Sequence, residues 1–377
     1  MRMRANSPSE FDRLLPQSPA AESLAGTEVE LLSNWSHNPR GAVVKHESAP
    51  GRNFVMLKLD SPHLFPLFGA VLRVLNPDSP QARSIFDLGI VSGIILAIIF
   101  VIVAGIIVYA LLRFRWREGE PDPHQLAGNH TIEIVWTVIP CLIVVALFAL
   151  TGRTMTLSDP PPATEPDLVV TGHQWWWEAR YPKSGLVVAN EFHIPVGKAM
   201  SVRLESTDVL HEFWVPELAR KITTVPGHPN HIWLQADRPG TYLGICSEFC
   251  GTQHAWMHCL IVAEPEAEFA AWETAQRRPA VMPVNDSAVK GLALFRQMVC
   301  VSCHAINGTA AAARVGPDLT HFASRRQLGA GIADNTPENL RRWLANPQQV
   351  KPGVKMPDFK FSNEQLTQLV DYLETLQ

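Results

Sequence analysis

Leu88 to Leu112 reads LGIVSGIILAIIFVIVAGIIVYALL and carries no charged side chain. A stretch so long and so uniformly apolar has few homes in a folded protein. A buried core helix is the competing explanation, but such helices are shorter and less uniformly apolar, whereas about 20 apolar residues span the hydrocarbon of a bilayer. A second run, Ile132 to Leu150 (IEIVWTVIPCLIVVALFAL), has one acid, Glu133, near its start and one proline, Pro140. Joined by a short polar loop, the two predict a membrane hairpin with spans over about 88–112 and 132–150. Arg113, Arg115 and Arg117 follow the first span, so the positive-inside rule places the loop in the cytoplasm. The N-terminal region and everything after Leu150 are then expected outside, in the periplasm or its equivalent.

Residues 1–84 read as an N-terminal extension. Their opening stretch, MRMRANSPSEFDRLLPQSPAAES, is polar and has no apolar core of the kind a signal peptide needs. A start at Met56 would give MLKLDSPHLFPLFGAVLRVL, closer to a targeting segment, so a misassigned start is one expectation for this region. Residues 85–156 hold the hairpin. From 157 to 265, short runs rich in β-branched and aromatic residues (LVVTGHQWWWEARYP, MSVRLEST, HIWLQA, GTYLGIC) are separated by Pro, Gly and Asp turns and predict an all-β sandwich. A helical linker over 266–284 leads to a helical domain over 285–377, where Leu366, Leu369, Val370 and Leu373 recur at helical spacing. Thr336 and Ser362 read as helix N-caps, the latter with Gln365 as a capping box. With 32 basic and 36 acidic residues the chain has no electrostatic case for nucleic acid.

Six cysteines are too few and too clustered for a disulfide scaffold, and two pairs have cofactor spacing. Cys300-Val301-Ser302-Cys303-His304 is C-x-x-C-H, the pattern in which two thiols attach a c-type haem and the next residue gives an axial imidazole. A redox C-x-x-C or half a zinc site would leave the histidine unexplained. Met356, in KPGVKMPDF before the last helix, is the expected sixth ligand, with His321 and Met298 as competitors. Gly316-Pro317 is expected to let the backbone pass closely on the His304 side. The early C-x-x-C-H, the GPDL stretch and the late MP together resemble a class I cytochrome c over roughly 285–377.

The stretch CSEFCGTQHAWM, residues 246–257, concentrates thiols, an imidazole and a thioether, with His211 upstream in VLHEFW. Such a donor set is soft and suits copper over magnesium, calcium or manganese. One blue copper needs only one Cys, and zinc would leave the methionine idle. Two thiolates bridging two coppers use every donor.

On these residues the chain resembles subunit II of a haem–copper cytochrome c oxidase, with a cupredoxin-like domain and a fused cytochrome c domain, from about residue 62 to the end. The resemblance implies a binuclear copper A centre on His211, Cys246, Glu248 (through its backbone carbonyl), Cys250, His254 and Met257. It also implies a magnesium at the Glu248 side chain, shared with subunit I. GHQWWWEARYP resembles the stretch where electrons enter from cytochrome c, with Trp175 in the entry position; for Trp176 and Trp177 ordinary packing explains the residues as well. Glu133 matches a glutamate at the mouth of a proton channel into subunit I. Asp208 and Glu212 are expected as surface carboxylates that dock basic cytochromes. Thr223, His228 and Ile245 depart from common family residues, and Cys259 is expected to be a buried small residue. The implied function is electron transfer from cytochrome c, through the fused haem, to copper and on to haem in subunit I, where oxygen is reduced to water with proton translocation. Subunits I and III, a cytochrome c donor and the bilayer are the implied partners. A quinol oxidase subunit lacks these copper ligands, nitrous-oxide reductase needs a propeller for which there is no room, and a copper-delivery protein has no use for a haem. Without copper, Cys246 and Cys250 are expected to form a disulfide in an oxidising compartment.

Overall fold

The structure, a computed structural model, describes residues 73–115, 119, 127–159 and 165–377. Arg117, the Met56 start and most of the N-terminal extension and of the proline-rich stretch after Ser158 lie outside these residues. Two long apolar helices, α1 (Pro80–Arg113) and α2 (His130–Ser158), pack against each other and leave large apolar side chains such as Phe100 and Phe148 outward. Both are longer than the apolar runs that predict them. At 1.5 Å per residue α1 is roughly 50 Å long, against about 30 Å of bilayer hydrocarbon. Its polar first turns continue the helix because Ser79 caps it, accepting from Ala82 N at 2.9 Å, and Pro80 stands where no N–H is needed. Asn129 caps α2 by accepting from the backbone N–H groups of Thr131 and Ile132.

The extra turns of α1 dock on the following domain. Ser79 Oγ donates to Leu218 O at 2.5 Å, and Gln81 bridges Ser158 O and Arg220 N at 2.8 and 2.9 Å. Asp78 is buried and takes hydrogen bonds from Arg238 Nε (2.8 Å) and the Tyr242 hydroxyl. The N-terminal end of the first span and the sandwich are therefore joined by buried polar contacts.

The sandwich has two five-stranded sheets. One orders β3 (Leu186–Ala189), β2 (Trp176–Tyr181), β1 (Leu168–His173), β5 (Met200–Ser206) and β8 (Asn230–Leu234). The other orders β4 (Glu191–Pro195), β10 (His258–Glu264), β9 (Gly240–Cys246), β6 (His211–Trp214) and β7 (Ile222–Thr224). Each contains one parallel pair, β1 with β5 and β10 with β4. Alternation sets the core: along β5, Met200, Val202 and Leu204 point inward while Ser201 and Arg203 are part-exposed. Trp177, Phe192, Ile194, Phe213 and Ile232 fill the space between the sheets.

Helix α3 (Glu266–Gln276) leads to the C-terminal region, where α4 (Asp286–Gln297) crosses α7 (Asn363–Leu373). The two helices touch at Gly291, where a Cβ would lie 1.9 Å from Gln368 O, so no other residue fits that crossing without moving a helix. Leu292, Phe295, Leu366, Leu369 and Leu373 make the core. The capping box at Ser362 and the cap of Thr336 on α5 (Pro337–Ala345) are both present. A short helix α6 (Pro347–Val350) precedes the Met356 loop, and a two-residue hairpin, β11 (Gln327–Leu328) with β12 (Ala333–Asp334), is added to the otherwise helical fold.

Candidate functional site

The loop after β9 and the start of β6 bring the expected soft donors together. Cys246 and Cys250 are both buried, with their sulfurs 3.7 Å apart and unbonded. His211 Nδ1 lies 4.0 Å from Cys246 Sγ, and His254 Nδ1 lies 3.7 Å from Cys250 Sγ. Met257, fully buried, has its sulfur 3.9 Å from Cys250 Sγ, and Glu248 O accepts from Cys246 Sγ at 3.3 Å. The donors thus form two groups around a thiol pair: one imidazole and one carbonyl beside Cys246, one imidazole and one thioether beside Cys250. This donor set fits two soft metal ions sharing two thiolates. Hydrogen bonding by Cys250, helped by His211, pulls the Cys246 thiol well below its ordinary range, so the pair gives up a first proton readily.

Behind the donors, His211 Nε2 bonds Asp208 Oδ1 at 2.8 Å. That contact fixes the ring and turns Nδ1 toward the sulfurs, the arrangement by which outer partners orient metal-binding imidazoles. Asp208 also accepts from Gln174 N at 2.7 Å, so it is part of the site rather than a free surface carboxylate. Glu212 is buried, held by Ser247 Oγ (2.7 Å) and Lys221 Nζ (3.1 Å). Glu212 corrects the expectation of a surface docking charge, whereas Asp208 stays part-exposed, with Lys355 Nζ at 3.6 Å. The Glu248 side chain is exposed, and Cys259 is a buried small residue whose thiol is pushed up by burial. Glu133 stands in the first turn of α2, part-exposed, with His130 Nδ1 at 3.7 Å.

In the C-terminal region a cavity is lined by Cys300, Cys303, His304 and Met356, with apolar walls that include Phe295, Leu344 and Leu369. His304 Nδ1 donates to Pro317 O at 2.7 Å, which leaves Nε2 as the free ring nitrogen. A Cβ on Gly316 would sit 2.7 Å from His304 Cε1, so the expected close passage of Gly316-Pro317 is present. Met356 lines the same cavity, its loop held by Gln348 through Val354 O and Met356 O at 2.6 and 2.9 Å. His321 is turned elsewhere: its ring nitrogens face Gln377 O and Arg278 O at 2.6 and 3.0 Å. Neither His321 nor Met298 lines the cavity. An apolar pocket lined by two thiols, an imidazole and a thioether fits a covalently attached haem.

The tryptophan triplet divides in role. Trp177 is core, edge-on to Phe213 and His211. Trp176 stacks on His173 with 4.1 Å between ring centroids and packs against Ala330. Trp175 lines the cavity, and its Nε1 donates to Cys250 O at 3.0 Å, beside Gln174 Nε2 at 2.8 Å to the same oxygen. Sequence reasoning missed Lys351, which is 1% exposed at the contact between sandwich and C-terminal region. Burial pushes its ammonium down to about 7, against the opposing pull of Cys250.

Comparison with known proteins agrees with this architecture. Residues 72–151 match the transmembrane domain of cytochrome c oxidase subunit II, 183–264 its periplasmic domain, and 288–377 cytochrome c. Cytochrome c oxidase subunit 2 of Alkalihalophilus pseudofirmus is 39% identical over 314 residues, covering 81% of this chain and 91% of that one. The chain belongs to the cytochrome c oxidase subunit II family. The Bacillus subtilis member is 32% identical over 328 residues, 81% of this chain and 92% of its own. A quinol oxidase subunit 2 from Bacillus cereus matches over 53% of this chain and 72% of its own, at 32% identity. Among solved structures, the periplasmic domain of subunit II of cytochrome oxidase from Bradyrhizobium japonicum is 31% identical, covering 31% of this chain and 96% of that one with a TM-score of 0.30. As a member of this family, the chain is a membrane-anchored component of an oxidoreductase complex, and it carries a cytochrome c domain.

Proposed function

We propose that this subunit accepts electrons from a cytochrome c through its own fused haem c, at a copper A centre, for delivery to haem in subunit I, where oxygen is reduced to water with proton translocation. The observation that carries this reading is Trp175, one side chain that both lines the haem cavity and hydrogen-bonds the backbone of Cys250 at 3.0 Å. In this reading His211, Cys246, Glu248 O, Cys250, His254 and Met257 hold two coppers. Cys300 and Cys303 would hold the haem, and His304 and Met356 would supply ligands to its iron. Bound there, these groups would supply one-electron redox chemistry. The protein's own part is to fix both sites and keep water out: Asp208 orients His211, Pro317 O orients His304, and Gln348 holds the Met356 loop. Trp175 gives a short path of covalent and hydrogen bonds from cavity wall to Cys250.

The complete set of soft donors and the cytochrome c domain favour a cytochrome c oxidase over a quinol oxidase. The exposed Glu248 carboxylate is proposed as a magnesium ligand shared with subunit I, and Glu133 as the mouth of a proton channel. Subunit III is a further proposed partner. The sandwich, the cytochrome domain and the N-terminal region are assigned to the periplasmic face, with Arg113 and Arg115 on the cytoplasmic one.

The test is copper and haem analysis of the purified full-length chain with electron paramagnetic resonance of its oxidised form. Two coppers sharing one unpaired electron, with one covalent haem per chain, is the expected result. One copper with a single-ion signal, or copper that chelators remove easily, would overturn the reading in favour of copper delivery.

A further inference from the structure

Among the described residues Lys351 is the one buried lysine, and its surroundings are unusual. An ammonium has three protons to donate and no acceptor of its own. Here it finds three backbone carbonyls: Trp256 O at 2.8 Å, Gly329 O at 2.8 Å and Trp175 O at 3.2 Å. Gly329 belongs to the cytochrome region, as does Lys351 itself. Trp175 and Trp256 belong to the sandwich, one on the haem cavity wall and the other next to Met257. The lysine therefore ties the turn at Gly329 to both loops that flank the copper donors.

Neighbouring contacts follow the same seam. Gln253 in the copper loop donates to Pro352 O, His258 N donates to Ala330 O at 3.0 Å, and Arg326 N donates to Glu191 Oε2 at 3.0 Å. Five residues after Lys351 the chain reaches Met356, on the cavity wall. One short segment thus touches the copper loop at one end and the haem cavity at the other.

We propose that Lys351 is a positioning residue that fastens the cytochrome region onto the copper domain in one geometry, with Trp175 closing the haem cavity. This deepens the function proposed above and rests on it. The physical reason is specificity. Charge-assisted hydrogen bonds need close, well-aimed acceptors, and a buried ammonium without them is strongly penalised. A shifted docking would strand the charge away from the three carbonyls that receive it. Apolar contact, such as Trp176 on Ala330, tolerates such shifts; the lysine does not.

The experiment uses the purified oxidase with wild-type chain, Lys351→Met and Lys351→Gln. Two quantities are read in each: the enhancement of copper A spin relaxation by the oxidised haem, which reports their separation, and the rate at which one electron leaves reduced haem c and appears on the copper pair. Haem and copper absorption show whether each variant assembles. Lys351→Met is expected to keep both spectra, lose most of the relaxation enhancement and slow transfer at least tenfold, with Lys351→Gln in between because it keeps part of the donor set. Unchanged relaxation and rate in an assembled Lys351→Met protein would overturn the proposal. So would loss of haem or copper in both variants, which would make Lys351 a folding residue. If the wild type itself shows no transfer from haem to copper, the proposed function fails and not merely the role of Lys351.

Discussion

Asp208 illustrates how much a single side chain outside the donor set can decide. It lies three residues before His211 and takes the histidine's Nε2, leaving Nδ1 to face Cys246. Replacing such an outer partner typically weakens metal binding by roughly 10–100-fold, because the ligand loses both its orientation and part of its basicity. Asp208→Asn keeps the shape and removes the charge, so it is expected to lose copper to a competing chelator at about tenfold lower chelator concentration, with haem absorption unchanged. Copper retention equal to the wild type would mean that packing of the His211 ring, edge-on to Trp177, suffices to hold it.

At the level of elements, the sandwich is closed at the start of β1 by Asp167. Its carboxylate accepts from Lys183 Nζ at 2.7 Å and Ser201 N at 3.0 Å, joining the β2–β3 turn to β5. Burial would raise this carboxyl, but Lys183 and Ser201 outweigh burial and hold it below the ordinary value. A carboxyl depressed in the folded state adds stability above its unfolded pKa, and that stability disappears as pH falls through the folded value. Asp167→Asn should therefore lower the sandwich's thermal midpoint at pH 7, and the difference from wild type should shrink steadily below about pH 4. A difference that stays constant from pH 7 to pH 2 would show that the ionised form is not what matters. Sequence reading reached these elements unevenly, for physical reasons. The cluster of soft donors was legible because four chemically distinctive side chains crowd between Cys246 and Met257, and the thiols and imidazole of the apolar cavity because they share one C-x-x-C-H. The caps at Thr336 and Ser362 were legible because capping is a local interaction. Lys351 was not: in KPGVK it resembles any loop lysine, and its role comes from carbonyls at positions 175, 256 and 329. Glu212 was placed outside because a carboxylate's usual home is water. The polar turns at the start of α1 were hidden because hydropathy ends where the lipid does, while the helix goes on.

On the scale of the whole molecule, that last point has a consequence of bearing rather than of stability. Helix α1 runs from its seat on the sandwich, at Ser79 and Gln81, to Arg113 as one continuous α-helix. A residue added within it would turn everything above by about 100° relative to everything below. Adding one alanine between Leu88 and Leu112 is therefore expected to aim the copper loop away from its membrane partner and abolish co-purification with the oxidase, although the copper and haem spectra persist. Adding seven, close to two full turns, restores the heading to within roughly 20° and should recover part of the assembly. Equal recovery from both insertions would show that the α1 seat swivels. If it does not, the first span acts as the shaft of a compass: its length in whole turns sets the direction in which the copper site looks.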